Sequence, residues 1–268
     1  MQELLINVED NRKRILLLEN GNLIEQYEEQ PDKERIEGNI YLGIVKDVLP
    51  GMQAAFVDIG EEKNTFIHIR DVIKKVSDQT GNKNEDFTKY NIKDYLRVGI
   101  PILVQVKKDS TNKKGARIST HLSIPGRFAV IMPEEKFVTL SQKIDNKEER
   151  DRLKNIISKN LPKNFGAIVR TSAENKTEND IVEDITKTIN SYKKIKELFE
   201  KEKDANNLKP QLVFKSEDII QKMVTDLMDQ DLYRIITNSD EVYKTIEKRL
   251  KNENKEIKLE KQNNLLKM

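Results

Sequence analysis

Residues 38–69 read GNIYLGIVKDVLPGMQAAFVDIGEEKNTFIHI and contain the pattern that decides the fold. Apolar and polar residues alternate along this stretch, as they do in strands with one buried face, and a Pro-Gly pair supplies a turn. If its second half is a hairpin that turns near residues 61–62, Phe56 and Phe66 lie opposite or diagonal to each other. Their even separation predicts that both rings share one face of the hairpin.

Short apolar runs bounded by turn residues continue beyond this stretch. Between them, residues 73–90 are rich in lysine and asparagine and are predicted to form an exposed loop. Several short strands joined by turns are typical of a small β-barrel, which we expect over about 36–120. The strands of this barrel are predicted at 38–48, 52–59, 64–69, 101–107 and 116–124.

Basic residues lie close to the two phenylalanines in the sequence, in the segment VKKDSTNKKGAR at 106–117. Two neighbouring rings on an open barrel face can stack unpaired bases, and nearby lysines can neutralise the sugar-phosphate backbone. Two alternatives stay open at this stage: strand phenylalanines are often core residues, and a Lys-Lys-Gly run is often a solvated turn. The cations of the segment are Lys107, Lys108, Lys113, Lys114 and Arg117, against the single acid Asp109.

Composition restricts the classes of function. The chain has 268 residues, a net charge of only +2, no cysteine and two histidines, His68 and His121. Disulfides, a thiolate nucleophile and Cys-ligated zinc are thereby excluded within this chain, and an acidic partner needs a local basic patch. No apolar run approaches the roughly 18 residues of a membrane span, and the N-terminus does not resemble a signal peptide. We therefore expect a soluble, cytoplasmic protein.

The rest of the chain combines strands and helices, so that an α+β fold is predicted. Asn20-Gly21 predicts a tight hairpin near the N-terminus. Helical spacing runs from Thr177 to about Lys203, with Leu198 expected on the apolar side, and a later helix is expected to begin at a Ser216 cap.

The chain contains, in this order, the motifs GNIY, LPGMQAAFVDIG, KGAR and IVRT. Through these motifs it resembles the ribonuclease E/G family of bacterial RNA-processing endonucleases, and the resemblance runs through essentially the whole chain. It implies an RNase H-like subdomain split between 1–35 and 211–268. It also implies an inserted OB-fold barrel of the S1 type at 36–120 and an α/β 5′-sensor region at 121–210.

The resemblance also implies two binding sites. Phe56 and Phe66 match the barrel aromatics that contact single-stranded RNA, Lys114 matches a barrel lysine, and Lys108 is a weaker match in the same region. Departures from the family pattern are Ile59, where some relatives have an aromatic, and Gln142 with Lys143, where relatives have arginine. The residues that match a 5′-monophosphate pocket are Arg170, Thr171 and Val130.

The family's catalytic aspartates, which hold magnesium, and its zinc-binding cysteine pair correspond to positions beyond residue 268. We therefore expect no catalytic residue, metal or other cofactor in this chain, and a homo-oligomer only in the full-length form. The leading hypothesis is an RNA-binding portion that binds but does not cleave RNA. The alternatives are a stand-alone RNA-binding adaptor in translation or RNA turnover and a scaffold whose barrel binds protein.

Overall fold

The computed structural model divides the chain into two units, Met1–Arg35 with Glu217–Met268, and Ile36–Ser216. Each unit has its own sheet structure and its own hydrophobic core. The family resemblance implies that the second part of the split subdomain begins at about residue 211, and the contacts in the structure assign residues 211–216 to the second unit. The residues that the structure describes are 1–10, 12–29, 35–73, 87–205, 207–228, 231–252, 255–263 and 265.

Strands and helices alternate irregularly, as expected for an α+β fold. In chain order the elements are β1 (Gln2–Glu9), β2 (Arg12–Glu19), β3 (Asn22–Glu29), β4 (Ile40–Leu49), β5 (Ala54–Asp58), β6 (Thr65–His68), β7 (Pro101–Lys108), β8 (Arg117–Ser119), β9 (Ile124–Pro125), β10 (Ala129–Pro133), β11 (Val138–Leu140), α1 (Lys147–Asn160), β12 (Phe165–Val169), α2 (Glu178–Glu202), β13 (Gln211–Phe214), α3 (Ile219–Leu227), β14 (Leu232–Thr237), α4 (Asp240–Asn252) and β15 (Lys258–Lys261).

The first unit is a mixed sheet in the order β15-β14-β1-β2-β3. Strand β14 runs parallel to β1 and β15, while β1, β2 and β3 are antiparallel. The side chains of Leu4, Ile6 and Ile15 pack with the apolar sides of α3 and α4 in one core. Asn20 and Gly21 connect β2 to β3 with positive φ angles of 51° and 80°. This geometry confirms the predicted hairpin, because asparagine and glycine tolerate positive φ.

The start of α3 differs from the prediction. Its N-cap is Asp218, whose Oδ1 accepts a 2.7 Å hydrogen bond from the backbone N–H of Ile220. Ser216 belongs to the other unit, where its N–H donates to Asn39 Oδ1 at 2.8 Å. A Cβ on Gly38 would lie 2.6 Å from Ser216 Oγ, so the two segments are in close contact. These contacts place Ser216 with the second unit and leave the capping role to Asp218.

The predicted barrel is present in the second unit as five strands in the order β4-β5-β6-β8-β7, closed by pairing of β7 with β4. Strand β6 runs parallel to β8, and the other pairs are antiparallel. The predicted strand 116–124 is divided into β8 and β9, and only β8 belongs to the barrel. Residues 74–86 of the predicted loop 73–90 lie outside the described residues. The barrel core includes Tyr41, Val45, Val57, Ile67, Val104, Val106 and Ile118.

Strand β4 changes partner near Gly43. Its first half pairs with β7 and its second half with β5, while β13 also pairs with residues 40–42. A Cβ on Gly43 would lie 2.7 Å from Val57 Cγ1 and 3.2 Å from the Asp58 carbonyl oxygen. Glycine is therefore required where β4 bends across β5 to close the barrel.

The remainder of the second unit is a four-stranded sheet in the order β11-β12-β10-β9, with α1 and α2 in the same core. Helix α2 begins after Thr177, which lies at the start of the predicted helical segment and caps the helix with its side chain, and the helix buries Ile181 and Ile185. Leu198, which the helical spacing places on the apolar side, is 42% exposed. The buried stripe of α2 ends at Ile195, so the last turns of this long helix extend past the core.

Gly115 holds the basic turn of the barrel against the hairpin of the two phenylalanines. A Cβ at this position would lie 2.0 Å from the carbonyl oxygen of Asn64, which is backbone and cannot rotate away. The next residue, Ala116, is buried, and its carbonyl accepts the N–H of Phe66 at 2.8 Å. The glycine of the KGAR motif is therefore required for the close packing of the two loops.

The amide of Gln105 connects the barrel to the chain that follows it. Its Oε1 accepts hydrogen bonds from the Ser123 N–H at 2.8 Å and from Lys107 Nζ at 2.7 Å, and its Nε2 donates to the carbonyls of Gly38 and Ser123. Gln105 is 3% exposed, and these contacts satisfy its amide. Burial lowers the pKa of the neighbouring Lys107 to about 8, although the charge of Asp71 opposes this shift.

We expect Gly115→Ala to lower the free energy of unfolding by about 3 kcal/mol, because a backbone segment must move to admit the methyl group. Gly51→Ala is the matched control, since a Cβ there meets no atom within 4 Å; it should leave stability unchanged or raise it by up to about 1 kcal/mol. Denaturant unfolding of the three proteins measures the difference. Equal stability of the two variants would contradict the packing role of Gly115.

The pKa of Lys107 predicts a pH-dependent difference between the wild type and Lys107→Met. Between pH 8 and the ordinary lysine pKa of 10.5, the unfolded state binds more protons than the native state. The free energy of unfolding of the wild type should therefore rise with pH in this window, relative to the variant, by about 1–3 kcal/mol. Denaturant titrations from pH 7.5 to 10.5 measure the free energy of unfolding of both proteins. Lys108→Met is the control for the loss of one charge. Parallel curves for wild type and Lys107→Met would refute the expectation.

Candidate nucleic-acid interface

Phe56 on β5 and Phe66 on β6 are direct cross-strand partners. Their ring centroids lie 6.2 Å apart with an interplanar angle of 68°, which is an edge-to-face contact. Both side chains are half-buried, whereas the alternate residues Val57 and Ile67 are fully buried. The two rings therefore lie on the outer face of the barrel, outside its core cluster.

Strand pairing extends this ring pair into a row across the barrel. The register places Asp47 next to Phe56, and Arg117 next to Phe66, with Lys108 beyond Arg117. Lys108 is exposed, and its ammonium forms no ion pair with any residue that the structure describes. The row thus carries a carboxylate at one end, two rings in the middle and two cations at the other end.

The guanidinium of Arg117 is fixed by Asp71. Nε and Nη2 of Arg117 donate to the Asp71 carboxylate at 2.9–3.1 Å, and Asp71 is only 9% exposed. The backbone carbonyl of Asp71 also accepts hydrogen bonds from Ser119 Oγ and Thr120 Oγ1. The sequence pattern does not predict the ion pair of Arg117 with Asp71, because the two residues are far apart in sequence.

His68 lies on the same strand as Phe66. Burial, and the charges of Arg70 and Arg117, lower the pKa of its imidazole.

Lys114 lies in a turn that the hairpin helps to hold. The N–H of Thr111 donates to the Lys114 carbonyl at 2.8 Å, and Lys114 N–H donates to Thr111 Oγ1 at 3.2 Å. Lys63 from the hairpin donates to the carbonyl of Asn112 at 2.9 Å. The ammonium groups of Lys113 and Lys114 are exposed, without ion pairs to the described part of the chain. This turn therefore presents two unpaired cations close to the backbone of Phe66.

The second predicted site lies at the end of β12. The N–H of Arg170 donates to the Phe128 carbonyl at 2.8 Å, and its Nη1 donates to the Gly126 carbonyl at 3.2 Å. Thr171 opens a short 3-10 turn, Thr171–Ala173, in which Ser172 Oγ donates to the Arg127 carbonyl at 2.7 Å. Arg170 and Ser172, on either side of Thr171, are thus bonded to the loop 126–128.

The loop 126–128 is held by Asp184 of α2, a role that the sequence did not suggest. The N–H groups of Arg127 and Phe128 donate to the two carboxylate oxygens of Asp184 at 3.0 and 2.9 Å. A Cβ on Gly126 would lie 2.7 Å from Asp184 Oδ2 and from Thr188 Oγ1. A glycine followed by backbone donors is thereby fixed against the helix, which orients the carbonyl that Arg170 contacts.

Val130 lies on β10 just beyond this loop, where it is half-buried and pairs with Ile168. Gln142 and Lys143 are exposed, and the segment before them is joined to β12 by the Ser141 N–H, which donates to the Val169 carbonyl at 2.8 Å. Val130, Arg170 and Thr171 therefore lie on neighbouring segments around the end of β12, as do Gly126 and Ser172.

Among the residues that the structure describes, no group of three or more histidine, cysteine, aspartate or glutamate side chains could hold a metal ion. No helix within those residues is both long and apolar enough to cross a bilayer.

Comparison with known proteins gives two family matches. The model of the Ribonuclease E/G family matches residues 123–267, and that of the S1 RNA binding domain matches residues 34–121. The chain is 34% identical to Ribonuclease G of Salmonella typhimurium over 91% of this chain and 49% of that protein. It is 42% identical to Ribonuclease G of Haemophilus influenzae over 68% of this chain and 37% of that protein.

A third relative is Ribonuclease E of Nostoc, which is 32% identical over 90% of this chain and 34% of its own length. The chain therefore spans about half the length, or less, of the relatives it matches. The barrel at the S1 match, together with the helices and sheets around it, confirms the predicted α+β fold class. The chain belongs to the ribonuclease E/G family, and its barrel is an S1 RNA binding domain.

Proposed function

We propose that this chain is the RNA-binding portion of a ribonuclease E/G-type endoribonuclease, and that it binds single-stranded RNA without cleaving it. One observation carries the proposal: Phe56 and Phe66 form an edge-to-face pair on the outer face of an S1 barrel. Stacking of unpaired bases on such rings contributes about 1–3 kcal/mol per base and is tolerant of sequence. We expect a cytoplasmic location, and we expect a homo-oligomer only for a full-length form of such an endoribonuclease.

Charge supports the same interpretation. Lys108 and Lys114 are exposed beside the row of the two rings, and neither ammonium is paired with a carboxylate among the described residues. Phosphate contacts by such lysines release counterions, so that the affinity should fall steeply with salt. The chain as a whole carries only +2, so this local distribution is what would attract the RNA.

We further propose that Arg170 and Thr171 recognise a 5′-monophosphate, with Val130 at the edge of the pocket. A guanidinium forms two parallel charge-assisted hydrogen bonds with a phosphate, and a hydroxyl adds another donor. The support is that Arg170 and Ser172 both bond to the loop 126–128, so the end of β12 is held in place. Magnesium and zinc would enter only with the part of the longer relatives that this chain does not match.

A stand-alone RNA-binding adaptor would use the same barrel surface and differs from the leading proposal only in lacking a catalytic continuation. A protein-binding scaffold differs in its ligand. The first alternative is resolved by the reading frame that follows codon 268, and the second by the binding experiment below.

We expect Phe56→Ala and Phe66→Ala each to weaken binding of a short single-stranded oligoribonucleotide by about 5- to 150-fold, because each removes one stacking surface. Fluorescence anisotropy measures the affinity, and circular dichroism checks that the half-buried rings are not needed for folding. Tyr27→Ala removes an aromatic ring of 38% exposure elsewhere and should leave the affinity unchanged. Unchanged affinity in a variant that carries both Phe56→Ala and Phe66→Ala would favour the protein scaffold.

We expect the RNA to remain intact when the wild type is incubated with the same oligoribonucleotide and Mg²⁺. Cleavage products would refute the non-cleaving part of the proposal.

We expect the wild type to prefer 5′-monophosphorylated RNA over 5′-hydroxyl RNA. Arg170→Lys should reduce this preference about tenfold, because lysine keeps the charge but loses the two-pronged geometry. Thr171→Val removes only the hydroxyl and should have a smaller effect of the same sign. Gln142→Arg adds a guanidinium at an exposed position near β12 and should raise the preference. Competition binding with matched oligonucleotides measures all four proteins, and equal ratios in all of them would contradict a 5′-phosphate site here.

A further inference from the structure

A second group of aromatic side chains lies on the segment between β6 and β7. The ring centroids of Phe87 and Tyr90 are 6.5 Å apart, and those of Tyr90 and Tyr95 are 6.3 Å apart. Tyr95 is 41% exposed, whereas Tyr90 packs partly against the barrel core. The group therefore has one ring anchored in the core and one that offers much of its surface to solvent.

The exposed ring is held by a rigid backbone. Ile92 and Leu96, which flank it in sequence, are buried at 0% and 3% exposure. The N–H of Ile92 donates to Gln53 Oε1 at 2.9 Å, and the N–H of Tyr95 donates to the Ile92 carbonyl at 3.1 Å. A ring that is both exposed and fixed loses little conformational entropy when a flat ligand stacks on it.

Cations alternate with these rings. The Arg70 guanidinium carbon lies 5.2 Å from the centroid of the Phe87 ring, within range of a cation–π contact. Lys89, Lys93 and Arg97 are exposed, and their side chains form no ion pair with other described residues. The centre of a protein-docking surface is usually depleted of lysine, whereas a surface for single-stranded nucleic acid combines rings with unpaired cations.

This group continues from the Phe56/Phe66 pair. His68 follows Phe66 by two positions on β6 and so faces the same side of the strand. Its Nδ1 accepts the N–H of Arg70 at 3.2 Å, and Arg70 lies over the ring of Phe87. Rings and cations therefore follow one another from Phe66 through His68 and Arg70 to the second aromatic group.

We propose that Phe87, Tyr90 and Tyr95 form a second stacking subsite, at which the unpaired bases of a longer RNA strand bind after the strand leaves Phe56 and Phe66. Tyr95 provides the stacking face, and Lys93 and Arg97 contact the phosphates on either side. This inference rests on the proposed RNA-binding function. A single barrel of this type covers about 4–16 nucleotides, so that short strands reach one subsite and longer strands reach both.

The test compares oligouridylates of 4 and 12 nucleotides binding to the full chain. Tyr95→Ala should weaken binding of the 12-mer about 5- to 150-fold and leave the 4-mer unaffected, because only the 12-mer reaches the second subsite. Phe56→Ala should weaken both lengths. Tyr95→Phe, which retains a ring, should bind as the wild type does, and Tyr27→Ala is the control for loss of an exposed tyrosine.

The outcomes separate the two proposals. If Phe56→Ala weakens binding but Tyr95→Ala changes neither length, the second subsite is refuted and the proposed function stands. An equal loss for the 4-mer and the 12-mer in Tyr95→Ala would also refute a separate subsite. Failure of the wild type to bind either oligonucleotide would overturn the proposed function itself.

A spectroscopic measurement gives an independent answer that does not require truncation. The chain contains no tryptophan, so Tyr95→Trp would place a single reporter at the subsite. Stacking of a base should quench its emission when the 12-mer binds but not when the 4-mer binds. A Tyr27→Trp variant should not respond to either strand. An unchanged Tyr95→Trp emission at saturating 12-mer would contradict stacking at this position.

Discussion

The close approach of Gly115 to the Asn64 carbonyl is the contact on which the barrel surface depends. It brings the turn 111–115 against the hairpin that carries Phe56 and Phe66, and the Phe66 N–H then bonds to the carbonyl of Ala116. Lys63 adds an ammonium bound to backbone carbonyls of the same turn. The exposed lysines of that turn are thereby held near the rings by packing and backbone hydrogen bonds, and neither Lys113 nor Lys114 forms an ion pair with a described residue.

The distribution of charge on this surface follows from which cations are paired. Arg117 lies next to Phe66 in register, but its guanidinium is bound by the mostly buried Asp71. That pair holds β8 to the segment after β6 and contributes little net charge. Lys108 and Lys114 are exposed and form no ion pair with the residues of described placement, so a chain of net charge +2 can present a local positive surface here.

The residues at the end of β12 are positioned in a different way. Arg170 follows the last residue of β12 and donates hydrogen bonds to the main-chain carbonyls of Gly126 and Phe128. The carboxylate of Asp184 holds the same loop from the other side by binding its N–H groups. Helix α2 therefore positions the loop, and the loop positions Arg170, although none of the residues that we propose to bind a phosphate lies on α2.

The local sequence pattern was sufficient to predict much of the fold. Alternation and turn residues predicted most barrel strands, the positive-φ turn at Asn20-Gly21, and the side-by-side placement of two phenylalanines ten residues apart, because each depends on neighbours within one hairpin. The combination of strand and helix patterns predicted the α+β class, and the family motifs predicted that the barrel is of the S1 type. What only the tertiary structure decided are contacts between distant segments: Asp71 with Arg117, Asp184 with the loop 126–128, and β13 with the edge of β4. The exposure of Tyr95 was likewise decided by the tertiary structure, because it depends on the packing of Ile92 and Leu96 into the barrel core. Periodicity reports which face of an element is buried, but which distant group meets that face is determined by packing of the whole unit.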